Sequence, residues 1–233
     1  MDSTASKPAH SELGPSASDK WMVCPAWRRL TVPLPKTSSA AADEGTRAHA
    51  LFEAMILNQR WECKDTEMLD YVGTCIDWVA AQEGTVHAEM ELDYGDEFGY
   101  VNLFGTADVI VDHPDCLTVG DLKYGFGIVE AEANSQMMIY LVGAVAKFGP
   151  RSSYRLVILQ PRANHFKGPI REVTVTPEEL DSFKAKLLQA ITDSYTNKAP
   201  VVGTHCRKYC AALAICPGVK AHAIKLFKGD PDA

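Results

Sequence analysis

Ala48, Leu51, Phe52, Met55 and Ile56 recur at helical spacing, which predicts an amphipathic helix that also carries His49 and Glu53. Residues 66–83 predict a second helix. Between Thr85 and Leu122 the apolar period drops to two, in VHAEMELDYG, YVNLFGTADVIVDH and CLTVGDLKYG. Each run is bounded by Gly, Asp or Pro, so three consecutive strands are expected, most simply an antiparallel meander turning at His113-Pro114-Asp115. An apolar helix over 131–147 follows, then a strand in YRLVILQPR, a strand around REVTV, and a helix begun by the capping pattern Thr176-Pro177-Glu178-Glu179. This order predicts an α/β or α+β fold, a central mixed β-sheet flanked by helices.

Composition sets the bounds. With 233 residues, 46% of them hydrophobic, the chain can bury one sizeable core. A single domain over 20–233 is expected after a Ser-, Ala- and Pro-rich leader, residues 1–19, that reads as disordered. No apolar run approaches the roughly 20 residues of a membrane span, and the N-terminus lacks the apolar stretch of a signal peptide, so a cytoplasmic location without a membrane partner is expected. The formal charge of −7 repels a polyanion at long range. Clusters such as Arg28-Arg29, or cations bound in an acidic cleft, reverse that sign locally.

VGDLKYGFG, residues 119–127, carries the candidate chemistry. Asp121 and Lys123 share one face of a strand, and Asp108 in GTADVIV lies on the neighbouring strand. Taken alone, D-x-K is also the pattern of a surface ion pair. Two carboxylates converging at one end of a sheet suit a hard divalent cation, Mg²⁺ or Mn²⁺, which takes oxygen ligands together with substrate phosphate oxygens. Lys123 would then orient a water or stabilise charge on the phosphate.

The series GTRAHALFE, GTADVIV, GDLKYG and Gln136-x-x-x-Tyr140 resembles the PD-(D/E)XK nuclease superfamily, in particular its RecB-like exonuclease branch. The resemblance runs from about Cys24 to Cys216 and implies a restriction-endonuclease-like core. It implies that His49, Asp108, Asp121 and the carbonyl of Leu122 hold the metal. Asp108, Asp121 and Lys123 become the catalytic set, with Gln136 and Tyr140, one helical turn apart, leaning over the site. Glu53 is a candidate partner of the imidazole. Glu89 and Glu91 are further candidates on the first strand.

Of seven cysteines, Cys63, Cys75 and Cys116 read as small buried hydrophobes. Cys206, Cys210 and Cys216 set three thiols within eleven residues, and Cys24 is the candidate fourth. This arrangement resembles the iron-sulfur staple of nucleases acting in recombination and CRISPR adaptation, and implies a [4Fe–4S] cluster. The spacing here is C-x3-C-x5-C, where that staple would carry C-x2-C-x5-C. A structural Zn²⁺ held by the four cysteines, or by three with His205 or His222, is the rival.

The resulting expectation is a Mg²⁺- or Mn²⁺-dependent exonuclease acting on free DNA ends. By analogy it would work in phage or mobile-element recombination, beside a single-strand annealing protein, with oligomerisation open. The sequence has no G-x-x-x-x-G-K-[ST] loop and hence no built-in helicase motor. The alternatives are a non-catalytic DNA-end or partner-binding module on the same fold, and a zinc-stapled interaction protein.

Overall fold

The structure, a computed structural model, describes residues 11–35, 39–207 and 210–228. Four helices come first: α1 (Ser18–Trp21), α2 (Trp27–Thr31), α3 (Ala40–Ile56) and α4 (Thr66–Ala80). Strands β1 (Thr85–Asp93), β2 (Phe104–Asp112) and β3 (Cys116–Leu122) precede helix α5 (Ser135–Phe148). Strands β4 (Ser153–Leu159) and β5 (Ile170–Val175) are followed by α6 (Pro177–Ser194), α7 (Thr204–Arg207) and α8 (Pro217–Phe227).

The strands form one sheet in the order β1-β2-β3-β4-β5, antiparallel throughout except between β3 and β4. The meander is as expected, with β2 and β3 joined by a tight turn closed by reciprocal backbone bonds between His113 and Cys116. The parallel step needs a crossover, and α5 supplies it. The fold is therefore α+β with a mixed sheet between helices.

Alternation along the central strands builds two cores. Leu117, Val119, Leu156 and Ile158 pack with α5 and α6, whereas Leu122, Val157 and Leu159 pack with α3 and α4. Helix starts are set by side-chain caps: Ser39, Asp65, Asn134 and Thr176 each accept from a backbone N–H three residues on. Asn134 explains why α5 begins at Ser135, four residues after the expected start. At α6 the capping box is complete, with Glu179 reaching back to the Thr176 N–H at 2.8 Å. Among the cysteines expected to be buried, Cys75 is, and burial pushes its thiol up to about 12. Cys63 and Cys116 are only partly covered. Among the described residues no helix is long and apolar enough to cross a membrane.

One expectation needs correction. Residues 1–10 of the expected leader lie outside the described residues, but residues 11–19 are folded into the protein. Leu13 and Trp21 are fully buried in the core beneath α5. Tyr94 donates its hydroxyl to the Leu13 carbonyl, Trp21 Nε1 donates to Gly14 O at 3.0 Å, and the Ser18 and Ser135 hydroxyls meet at 2.7 Å. A low density of apolar residues hid this segment, because two well-placed side chains and satisfied polar groups suffice to dock it.

Leu13→Ala is expected to destabilise the protein by about 2–5 kcal/mol, the range for deleting a buried leucine side chain. Urea unfolding monitored by tryptophan fluorescence measures it. A segment acting as a disordered leader would leave the midpoint unchanged.

Candidate active site

The register of the sheet determines which side chains meet. Val109 pairs with Gly120, so one step further Asp108 falls opposite Asp121. On the other side, Ala88 pairs with Val109 and Met90 with Ala107, which sets Glu89 opposite Asp108. Three carboxylates therefore stand in one row across β1, β2 and β3. Glu89 has φ +45°, left-handed backbone that a non-glycine residue seldom adopts. Strain of this kind concentrates at working sites.

Helix α3 closes over the row. His49 Nδ1 lies 3.0 Å from Asp108 Oδ1, while Asp108 Oδ2 accepts the Leu122 N–H at 2.5 Å. His49, Glu89 and Asp108 each offer a ligand atom, and these atoms lie within 4.8 Å of one another. Of the two first-strand candidates, Glu89 joins this group. Glu91, exposed, pairs in register with Thr106 instead. Glu53, one turn beyond His49, lies close enough for its charge to act on Glu89.

Lys123 and α5 complete the other half. Lys123 Nζ lies 2.7 Å from Asp121 Oδ2 and donates to Gln136 Oε1 at 3.0 Å. Gln136 Nε2 donates in turn to Asp121 Oδ1 at 2.9 Å and to the Tyr140 hydroxyl at 3.1 Å. Gln136 is thus a clamp that fixes the lysine and the aspartate together. Tyr140, buried, is one bond further from the carboxylates.

Charge dominates the energetics. Two carboxylates about 5 Å apart repel by about 3 kcal/mol at an effective dielectric of about 20, more than a hydrogen bond returns. The row therefore holds a proton or a cation. Burial, followed by the charge of Asp108, pushes Glu89 up to about 7. Burial also raises Asp121, against the opposing pull of Lys123. For His49 burial works against the imidazolium, but the hydrogen bond and charge of Asp108 outweigh it and raise its pKa. Burial and the Asp121 charge raise Tyr140, which keeps the phenol neutral.

The donor set could hold a divalent metal ion. Asp121 Oδ2 is buried, with the Lys123 ammonium 2.7 Å away as its ion-pair partner. Carboxylate oxygens with one imidazole are the ligands that Mg²⁺ and Mn²⁺ accept.

A second cluster lies away from this row. Cys24, Cys206, Cys210 and Cys216 line one small apolar cavity of about 10 Å³, together with His205. All four are free thiols, and the neighbouring cysteines contribute after burial to raising Cys210. Among the described residues, no three of these sulfurs lie within 4.8 Å of one another. His205, 3.5 Å from Cys206 Sγ, also bonds the Val201 carbonyl. His222 is not among the residues lining the cavity.

Residues 10–232 match the model of a family described as a protein of unknown function, DUF2800. The chain belongs to this family. Among solved structures, it is similar to a candidate exonuclease of Eubacterium rectale, with 14% identity, 90% of this chain and 94% of the other covered, and a TM-score of 0.46. It is also similar to SSO0001, with 16% identity, 86% and 84% coverage and a TM-score of 0.41.

In this DUF2800 chain one buried pair escaped the sequence reading. Gln160, fully buried, donates to the Gly125 and Gly127 carbonyls at 2.9 and 2.8 Å and accepts from Val129 N at 3.1 Å and from Arg171. Arg171 also holds the Val129 carbonyl at 2.6 Å. Together they pin the loop that leaves Lys123. A glutamine ending an apolar strand and a lone arginine in REVTV were the only signals, and neither had an assignable partner before β4 and β5 were paired.

Glu89 holds its proton more tightly in the folded protein than in the unfolded chain. Its contribution to stability is thus fully present below pH 4.5, the unfolded value, and is lost as pH rises through about 7. The melting temperature of chelator-treated protein should fall across that window, and Glu89→Gln should flatten the slope. Parallel pH profiles for the two proteins would contradict the assigned environment of Glu89.

Proposed function

We propose that this chain is a divalent-metal-dependent nuclease that hydrolyses phosphodiester bonds of DNA, working from free ends. The observation that carries the reading is the row Glu89, Asp108 and Asp121 with Lys123 clamped beside it. A cation relieves the repulsion within a row of three carboxylates, and His49, Glu89 and Asp108 offer ligand atoms within 4.8 Å of one another. His49, Glu89, Asp108, Asp121 and the Leu122 carbonyl would be the ligands. When bound, the ion would acidify a water and neutralise charge on the phosphate.

The remaining work belongs to the side chains. Lys123 carries three ammonium protons, with Asp121 and Gln136 facing two of them. The third is available to a phosphate oxygen or to the attacking water, and stabilises the negative charge that develops on the phosphoryl group. Gln136 keeps the ammonium aimed, because its amide holds Asp121 and Tyr140 on one side while its carbonyl holds Lys123 on the other. Asp108 keeps the His49 ring oriented and anchors the end of β3 through the Leu122 N–H. The preference for DNA ends follows from the resemblance of the motif series to end-processing enzymes, as do a role in phage or mobile-element recombination and an annealing partner.

The four cysteines we assign to a structural [4Fe–4S] cluster rather than to zinc. The reading is supported by Cys24, Cys206, Cys210 and Cys216 lining one cavity and by the resemblance of their arrangement to the iron-sulfur staple.

Lys123→Ala should lower the rate of cleavage of end-labelled linear DNA at least about 100-fold while the melting temperature stays near that of the parent. Wild-type cleavage by the variant would remove Lys123 from the site. Anaerobically purified protein should be brown, with iron and an absorbance band near about 400 nm that Cys24→Ser abolishes. Colourless protein containing one zinc would overturn the cluster.

A further inference from the structure

The loop leaving Lys123 displays large apolar side chains to solvent. Phe126 is 68% exposed and Ile128 55%, and on the neighbouring loop after β4 Phe166 is 89% exposed. These residues do not stand out for lack of order around them. Gln160 holds the carbonyls of Gly125 and Gly127, and Arg171 holds that of Val129. Backbone polar groups at 125, 127 and 129 are thus tied inward while the side chains at 126 and 128 stay in water. The two loops are also joined to each other, by His165 Nε2 with Glu130 at 3.1 Å and Lys167 Nζ with Glu132 at 3.1 Å.

Each of these two phenylalanines has a cation beside its ring. The Arg162 guanidinium lies 4.2 Å from the Phe126 ring centroid, and Lys167 Nζ lies 5.9 Å from that of Phe166. Rigid rings in water next to cations suit a ligand with flat π faces and anionic links. Phe126 follows Lys123 by three residues, a span of at most roughly 11 Å. A base adjoining a phosphate held at Lys123 is within its reach.

We propose that Phe126 and Phe166 form a stacking ridge for the unpaired bases of a nucleic acid strand entering the Lys123 site. The proposal rests on the nuclease reading of that site and specifies its substrate: a single strand, or a frayed end, rather than an intact duplex. Arg162 is paired with Glu44 at 2.9 Å and Lys167 with Glu132. Phosphate attraction at the ridge is therefore partly offset, and stacking rather than charge carries the binding there.

The test compares two labelled probes of about 12 units, a dT oligonucleotide and an abasic oligomer with the same sugar-phosphate chain, by fluorescence anisotropy in chelator so that no hydrolysis occurs. Wild-type protein should bind the base-bearing probe at least about tenfold more tightly than the abasic one. Phe126→Ala combined with Phe166→Ala should bring the two affinities to within about twofold, whereas Phe126→Trp keeps the preference. Melting temperatures of all variants report whether the loops stay folded. If the double alanine variant does not fold, the Phe126→Trp protein decides the matter, since loss of its base preference would overturn the ridge. Equal affinity of wild type for both probes, or a base preference untouched by the double alanine variant, overturns the ridge and leaves these rings to a protein partner. Because binding is read without hydrolysis, this outcome is separate from failure of the nuclease reading, which the Lys123→Ala cleavage assay decides.

Discussion

Three carboxylates lined up across adjacent strands are the constraint that the rest of the structure has to meet. Like charges directly opposite each other destabilise strand pairing, and Glu89, Asp108 and Asp121 are opposed twice over. Glu89 lies in left-handed backbone, and it and Asp121 are pushed toward protonation. No packing advantage accompanies this arrangement, since a valine at any of the three positions would extend the apolar faces on either side. The rest of the fold can be understood as what keeps that row in place. β3 lies at the centre of the sheet, bonded on both sides, so the strand carrying Asp121 cannot yield to the repulsion by moving away.

The two flanking helices divide the labour. From α3 the imidazole of His49 engages Asp108, and from α5 the amide of Gln136 engages Asp121 and Lys123. Each contact joins a helix to a strand through a polar side chain that the neighbouring apolar packing has already positioned. Ala48, Leu51 and Phe52 anchor α3, while Met137, Ile139 and Leu141 anchor α5. Hydrophobic burial of this size, about 1.5–3 kcal/mol for each large side chain, outweighs the few kcal/mol of repulsion that the row generates.

Much of this is legible in the sequence alone. The period-two runs mark β1 to β3 and their pairing, the helical spacing marks α3 with His49, and D-x-K puts Asp121 and Lys123 on one face. Glu89 was only one of two candidates on β1, because choosing between Glu89 and Glu91 requires the register against β2. Register is a tertiary property, set by Gly105 to Asp112 meeting Thr85 to Leu92, and no local pattern encodes it. Gln160 and Arg171 were missed for the same reason: their partners are backbone groups of a loop more than thirty residues from Gln160. The docked segment at Leu13 was missed because composition is a property of a window, whereas burial is a property of single side chains.

That segment also gives the cysteines a physical connection to the site. Pro15 packs so closely on β2 that a side chain at Gly105 would overlap it, at 2.5 Å from its Cγ, and would press on Tyr140 at 2.9 Å. Tyr140 accepts from Gln136, which clamps Lys123 and Asp121. Cys24 follows the same segment a few residues on and shares its cavity with Cys206, Cys210 and Cys216. A group binding those thiols would close nearly the whole described chain into a loop, removing freedom from the unfolded ensemble while holding the segment from Pro15 through α1 against α5. Such a group would bear on the carboxylate row only indirectly, through the firmness with which α5 presents Gln136.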